Sequence, residues 1–148
     1  MSQLGNGTDS DALVFVYGSL KRGMANQHQL LGARPAGPCL LEGLDLYDLG
    51  PFPMAVPSSH AQAKLKGELY WVSASQLKEL DRFEGTPRLY ERKRWLISAG
   101  RWCWVYVGRP RQVRYVEQLK EGEWRGPRHP TNHSRPDASR PRNNISKM

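Results

Sequence analysis

The chain is organised around a stretch with helical spacing, Leu77-Lys78-Glu79-Leu80-Asp81-Arg82-Phe83-Glu84-Gly85. Positions i, i+3 and i+7 share one narrow face of a helix, so Leu77, Leu80 and Glu84 are predicted to lie together. A carboxylate in an apolar stripe loses solvation, which raises its pKa. Glu84 also ends the predicted helix, where the macrodipole disfavours negative charge. We therefore predict that Glu84 acts as a general base.

A second stretch has the pattern of a buried strand that ends in a turn, Val14-Phe15-Val16-Tyr17-Gly18-Ser19-Leu20. A glycine at this point lets the chain turn and present successive N–H groups to an anion or an oxyanion. The turn lacks the Gly-Lys-Ser/Thr ending of a Walker A loop, which disfavours nucleotide binding. Both stretches have simpler interpretations: a plain strand-to-loop turn, and a helix-end carboxylate that faces solvent or pairs with a nearby arginine or lysine.

Length and composition predict one soluble domain. The chain has 148 residues, of which 39% are hydrophobic and 24% are charged, values typical of a globular protein with a single core. No apolar run is long enough to span a membrane, and residues 1–10 lack the order of a signal peptide. We therefore expect a cytoplasmic protein that does not contact membranes.

The positive charge is concentrated near the C-terminus. The net charge is +8, and residues 125–148 hold six basic residues against one acidic residue, which leaves +3 for residues 1–124. Four tryptophans in strand-like runs are interpreted as core residues, because no basic residues interleave with them on an evident face. They are Trp71, Trp95, Trp102 and Trp104. Nucleic-acid binding would rest on the basic tail alone, so it is disfavoured.

The two cysteines predict neither a disulfide nor a metal site. Cys39 and Cys103 lie far apart, each in an apolar strand-like run, which suits reduced, buried thiols. Neither has a second cysteine or a histidine at metal-ligand spacing. We predict no metal and no cofactor.

The pattern divides the chain into a disordered leader at 1–11, a domain at 12–124 and a disordered basic tail at 125–148. Strands are predicted at 13–17, 38–48, 64–72, 90–98 and 102–108, an extended or edge segment at 50–57, and helical segments at 25–31, from Ser73 to Phe83 or Glu84, and at 113–119. These elements predict an α+β fold with two or three short helices and a small antiparallel-rich sheet, curled or closed into a barrel.

Several short motifs, in this order, resemble the γ-glutamylcyclotransferase-like superfamily, above all its γ-glutamylamine cyclotransferase and AIG2-like branch. The motifs are Tyr17-Gly18-Ser19-Leu20-Lys21-Arg22-Gly23, Gly67-Glu68-Leu69-Tyr70, Leu80-Asp81-Arg82-Phe83-Glu84-Gly85, Leu89-Tyr90-Glu91-Arg92 and Trp104-Val105-Tyr106-Val107. The resemblance covers about residues 13–124 and implies a compact barrel-like fold.

For active members, the resemblance implies conversion of a γ-glutamyl amide into 5-oxoproline and a free amine, without a cofactor. Carried over by position, Glu84 becomes the catalytic acid/base, and the turn of Tyr17, Gly18, Ser19 and Leu20 binds the γ-glutamyl unit through its amides. Tyr90 takes the place of a pocket tyrosine. From its position and composition, the proline-rich segment Gly50 to Pro57 is expected to line or cover the pocket and to set specificity. A non-catalytic module that holds a small acidic metabolite in the same turn is the alternative, because a fold does not guarantee turnover.

Overall fold

The computed structural model describes residues 11–98 and 100–127. The strands of this part are β1 (Ala12–Val16), β2 (Arg34–Glu42), β3 (Leu44–Asp48), β4 (Pro53–Pro57), β5 (Lys64–Val72), β6 (Glu91–Leu96) and β7 (Trp102–Val107). The helix α1 spans Ala74–Phe83, and 3-10 helices span Gln27–Leu30 and Pro110–Val113. The predicted leader and basic tail lie outside the described residues, except for Asp11 and residues 125–127.

The strands form a five-stranded sheet of order β2-β5-β1-β7-β6 and a separate two-stranded sheet of β3 and β4. Every pairing is antiparallel except that of β1 with β7, which is parallel. The structure confirms the predicted α+β class and the antiparallel-rich sheet. It does not form a closed barrel, because the larger sheet ends at β2 on one side and at β6 on the other.

Several predicted elements agree closely with the structure. The strand predicted at 64–72 is β5, and the predicted hairpin is formed by β6 and β7, with Gly100 at φ +90°. Ser73 caps α1: its Oγ accepts from the Gln76 amide at 3.1 Å, and its own amide donates to the Gln76 side chain at 2.9 Å. This reciprocal pair is the capping box that the spacing of Ser73 and Gln76 predicts.

Three predicted segments were wrong in detail. The run at 38–48 is two strands, because Gly43 adopts φ +91° and breaks it. The helix predicted at 25–31 is only a 3-10 turn, and the helical turn predicted at 113–119 lies earlier, at Pro110–Val113. The proline-rich segment at 50–57, predicted as extended or as an edge, agrees with the structure: it contains β4, which among the described strands pairs only with β3.

The interpretation of the tryptophans also needs correction. Trp102 is 51% exposed, so it is not a core residue. The guanidinium of Arg94 lies 4.8 Å from the Trp102 ring centroid, and that of Arg92 lies 4.2 Å from the Trp104 ring centroid. Basic and aromatic side chains therefore do interleave on the β6–β7 hairpin, contrary to the interpretation from the sequence.

The end of the domain is tied to the loop after β1. Trp124 is buried in the core, and its carbonyl accepts a hydrogen bond from Nζ of Lys21 at 2.6 Å. Lys21 is itself only 7% exposed, and this burial lowers the pKa of its ammonium. Next to this contact, the carbonyl of Gly122 accepts from the Lys66 amide at 2.8 Å. The segment before the basic tail thus closes one side of the domain.

Candidate active site

The C-terminal end of α1 carries Glu84. Leu80 is buried and Leu77 is partly buried, as the helical spacing predicts. Glu84 directly follows Phe83, the last residue of α1, and the Glu84 amide donates to the Leu80 carbonyl at 2.8 Å. The helix ends there because Gly85 adopts a positive φ of +68°. Glu84 is of intermediate burial as a whole residue, neither fully enclosed nor fully exposed.

A polar network fixes the end of α1 against the sheet. Asp81 accepts two hydrogen bonds from Arg92, at 2.8 and 3.1 Å, and a third from the hydroxyl of Tyr106 at 2.8 Å. Its main-chain carbonyl accepts from the amide and the hydroxyl of Thr86, both at 3.0 Å. Bidentate arginine–carboxylate pairs restrict geometry. Asp81 therefore fixes the position from which Glu84 extends.

The loop after β1 also lines the site. The carbonyl of Ser19 accepts from the Asn26 amide at 2.8 Å, and the hydroxyl of Ser19 accepts from the Asn26 side chain at 2.9 Å. The carboxylate of Glu68 accepts from the Arg22 amide at 2.8 Å. Among the described residues, the amides of Gly18, Ser19 and Leu20 donate no hydrogen bond. These contacts hold the loop, whose three amides have no acceptor within the described residues.

Gly18 is required in this loop for a reason that the sequence did not reveal. A Cβ atom at Gly18 would lie 2.9 Å from Cγ of Pro53, closer than real Cβ contacts come. Gly18 is not among the glycines with positive φ, so close packing against the Pro53 ring, rather than backbone freedom, demands it. Pro53 therefore sets the position of the loop.

One cavity unites the predicted site residues. It is lined by Glu84, Tyr17, Gly18, Ser19, Leu20 and Tyr90, together with Phe15, Val16, Phe52, Pro53 and Tyr106. The structure thus brings together all of the residues that the sequence assigned to the site, although their roles remain predictions. The cavity measures about 30 Å³. In the described residues, no group of three acidic, histidine or cysteine side chains could hold a metal ion.

The tyrosine hydroxyls at the cavity are bonded to protein groups. The hydroxyl of Tyr17 donates to the Tyr106 carbonyl at 2.7 Å and accepts from the Ala55 amide at 3.0 Å. The hydroxyl of Tyr90 donates to the Pro53 carbonyl at 2.6 Å. Burial raises the pKa of all three tyrosines, and the nearby charge of Glu84 raises it further. These phenols therefore stay neutral and hold the cavity in shape.

Two residues at the site were given no role by reasoning from the sequence, and two were expected only as part of a segment. Phe52 and Pro53 line the cavity, which agrees with the expectation that Gly50 to Pro57 lines or covers the pocket. Tyr106 lines it because β7 pairs with β1, and Asp81 supports it through Arg92. Only Tyr106 had a usable signal, since strand alternation places it on the same face as Trp104.

Comparison with known proteins adds an independent line of evidence. The family model described as "Gamma-glutamyl cyclotransferase, AIG2-like" matches residues 14–126. The γ-glutamylcyclotransferase family protein YtfP of Escherichia coli is 32% identical over 111 residues, which cover 75% of this chain and 94% of that protein. Human γ-glutamylaminecyclotransferase is 37% identical over 93 residues, covering 55% of this chain and 58% of the relative.

The same relationship is seen in three dimensions. The crystal structure of a mouse AIG2-like protein superposes with a TM-score of 0.64 at 26% identity and covers 83% of this chain and 99% of that one. No helix in the described residues has the length and apolar character needed to cross a membrane. Three comparisons agree: the family model, the similar sequences and the similar fold. The chain belongs to the AIG2-like γ-glutamylcyclotransferase family.

Proposed function

We propose that the protein converts a γ-glutamyl amide into 5-oxoproline and a free amine. One observation carries the proposal: Glu84 and the loop of Gly18, Ser19 and Leu20 line the same cavity. The reaction needs a base close to a site that stabilises negative charge, and this pair of features supplies both. The names of the relatives agree, since the human relative is called a γ-glutamylaminecyclotransferase.

In this reaction the substrate's own α-amine attacks the γ-carbonyl carbon. A C–N bond forms to close the five-membered ring, and the original amide C–N bond then breaks. Tethering the nucleophile to the carbonyl accounts for a large part of the acceleration. The α-amine has a reference pKa of about 8 and is mostly protonated at neutral pH, so a base must remove a proton. Glu84 takes this proton before the attack and returns it to the departing nitrogen. The second proton, which the attacking nitrogen loses as the ring closes, leaves with the product amine in its ammonium form.

The loop amides take the negative charge of the substrate. Amides with no acceptor of their own stabilise an oxyanion as it develops, or hold the substrate's α-carboxylate. In both roles they fix the γ-carbonyl near Glu84. No metal or cofactor takes part in this mechanism.

The cavity is small next to the substrate. A volume of about 30 Å³ holds roughly two water molecules, which is less than a γ-glutamyl group. Phe52, directly before β4, and Pro53, its first residue, form one side of the cavity. We expect the residues around Phe52 to select the amine half of the substrate.

The test compares Glu84→Gln with the wild type in an assay that detects 5-oxoproline released from a panel of γ-glutamyl amides. Loss of an acid/base group should lower kcat by about 10²–10⁴-fold. Glu79→Gln is the matched control, because Glu79 lies on the same helix with its side chain 66% exposed. It should retain wild-type activity, and thermal unfolding should show that both variants fold.

Two results would contradict the proposal. Full activity of Glu84→Gln would show that Glu84 is not the acid/base. Saturable binding of a γ-glutamyl amide to the wild type without release of 5-oxoproline would instead identify a non-catalytic binding protein. Calorimetry with the same panel distinguishes that outcome from a substrate missing from the panel, since a missing substrate gives neither binding nor turnover.

A further inference from the structure

The two edges of the five-stranded sheet differ in how they are protected. Strand β2 forms one edge and contains Pro35 and Pro38, with a register shift between Pro35 and Gly37. Prolines and bulges are common devices that stop another strand from pairing with an edge. Strand β6 forms the other edge and has no proline, but it carries the charged side chains of Arg92, Lys93 and Arg94. Such charges discourage pairing with a strand of like charge and leave the edge open to a strand of opposite charge.

The hydrogen-bond pattern shows which main-chain groups of β6 face outward. The amide of Ile97 bonds to the Arg101 carbonyl at 2.7 Å, which closes the hairpin. Paired and unpaired positions alternate along an antiparallel strand. The main-chain groups of Arg92, Arg94 and Leu96 therefore point away from β7. Within residues 11–98 and 100–127, no hydrogen bond engages these outward groups.

The side chains along this edge are mainly basic. Arg92, Lys93 and Arg94 are consecutive, and only Arg94 has no acidic partner in the described part of the chain, since Arg92 pairs with Asp81 and Lys93 with Glu91. Arg94 covers the Trp102 ring, and Trp102 is 51% exposed. Leu96, opposite Trp102 in the ladder, is 50% exposed. The edge thus combines open main-chain groups, an available cation and an apolar patch.

We infer that β6 binds an extended acidic peptide segment of another protein, which adds to the sheet as a sixth strand. Main-chain hydrogen bonds give such strand addition its affinity, and alternate side chains give it specificity. An acidic side chain of the peptide meets Arg94, and an apolar one covers Leu96 and Trp102. This inference does not depend on the chemistry proposed for Glu84.

The positive charge of β6 argues against other molecules that could occupy this edge. A second copy of the chain would place the cations of β6 opposite each other, and like charges across a ladder destabilise it. Residues 125–148 carry six basic residues and one acid, so the chain's own tail has the wrong sign. A nucleic acid could pair its phosphates with Arg94 and stack a base on the exposed Trp102 ring. It lacks, however, the evenly spaced peptide groups needed to hydrogen-bond with the outward amides and carbonyls of β6.

The test measures binding of a blocked, fluorescein-labelled octapeptide, Glu-Thr-Val-Thr repeated twice, to the full chain by fluorescence anisotropy. Its glutamates and valines alternate along one face of the strand, as Arg94 and Leu96 require. Binding should weaken as ionic strength rises, because exposed charges are screened. Arg94→Glu should raise Kd by about tenfold at low salt. The control Arg114→Glu makes the same charge change at an exposed residue away from the edge and should leave Kd within about twofold.

Amide exchange tests the geometry as distinct from the charge. On binding, exchange of the amides of Arg94 and Leu96 should slow, whereas those of Lys93 and Trp95, which already face β7, should not change. Arg94→Pro removes the outward amide as well as the charge and should bind more weakly than Arg94→Ala. Thermal unfolding of each variant establishes that it is folded.

Four outcomes would overturn the inference. They are absence of saturable binding up to millimolar peptide, binding without slowed exchange at Arg94 and Leu96, equal binding of an octapeptide with lysine in place of glutamate, and tighter binding of a single-stranded oligonucleotide of matched charge. Protection of the same amides in the absence of peptide, rising with protein concentration, would identify a second copy as the occupant and would also overturn it.

Discussion

The two walls of the cavity differ in what their polar groups are bonded to. The tyrosine wall is made of Tyr17, Tyr90 and Tyr106, and each of its hydroxyls is bonded to a main-chain group or to Asp81. The other wall holds Glu84 and the loop of Gly18–Leu20, whose amides donate no hydrogen bond within the described residues. The difference suggests that the two walls have different roles. Substitutions in the tyrosine wall should mainly lower the free energy of unfolding, and substitutions at Glu84 or in the Gly18–Leu20 loop should mainly lower kcat.

After the change at Glu84, the largest effect on turnover is expected from Gly18→Ala. Its new Cβ would lie 2.9 Å from Cγ of Pro53, so the loop must move. A misplacement of about 1 Å at a reacting group can cost about 100-fold in rate. We expect a loss of that order in kcat, measured by 5-oxoproline release.

A double variant separates the contact from other effects of the alanine. Pro53→Ala removes the ring that a residue at position 18 would strike, and the Pro53 carbonyl that Tyr90 needs stays in the main chain. Gly18→Ala combined with Pro53→Ala should therefore recover much of the lost activity, as coupled neighbours do in a double-mutant cycle. If the loss of activity in the double variant equals the sum of the losses in Gly18→Ala and Pro53→Ala, expressed as free energies, the steric explanation is wrong.

Asp81→Asn should affect both stability and turnover, because Asp81 connects the two walls. The substitution weakens the paired hydrogen bonds with Arg92 and the bond from Tyr106. Loss of such charge-assisted bonds at a partly exposed site costs about 1–3 kcal/mol of unfolding free energy. We expect kcat to fall by about tenfold as Glu84 loses its fixed position.

Chemical denaturation and kinetics check this prediction together. Glu79→Gln again provides the control, since it breaks only an exposed pair with Arg82 and should cost less than about 1 kcal/mol. Unchanged kcat in Asp81→Asn would show that this network does not position Glu84.

The smallest effect on turnover is expected from Tyr90→Phe. The substitution leaves the buried Pro53 carbonyl without its donor, which costs about 1–2 kcal/mol of unfolding free energy. The rate should stay within about tenfold of the wild type, because the lost hydroxyl faces protein and not substrate. A fall in kcat as large as that of Glu84→Gln would show that the hydroxyl acts on the substrate and would remove the distinction between the walls.

The sequence predicted the elements whose pattern is local. Period-two alternation located β5, and helical spacing with the Ser73 capping box located α1 and placed Glu84 at its end. The pairings between distant segments were not predictable in this way. The parallel contact of β1 with β7 joins Val14 to Trp104, and nothing in either strand specifies that partner.

The site was predicted in the same uneven way. Glu84 and the Gly18 turn came from local patterns, whereas Tyr90 and the single pocket that unites them came only from the family resemblance. The segment 50–57 was expected at the pocket, but Phe52 and Pro53 were not singled out within it, because the β3–β4 pair decides which of its residues reach the cavity. The exposure of Trp102 was missed for a related reason: the sequence does not show where α1 stops covering the sheet.

The bond between Lys21 and Trp124 has a consequence for how the protein is made. It joins residues 103 positions apart. Strand β1 likewise has both of its neighbours in the sheet only once β7 has been made. Contacts of such long sequence separation form late, after the entropy of closing the loop has been overcome. During synthesis the Gly18–Leu20 loop leaves the ribosome long before Trp124 does. We therefore expect the Gly18–Leu20 loop to reach its final shape only after translation of the domain is essentially complete.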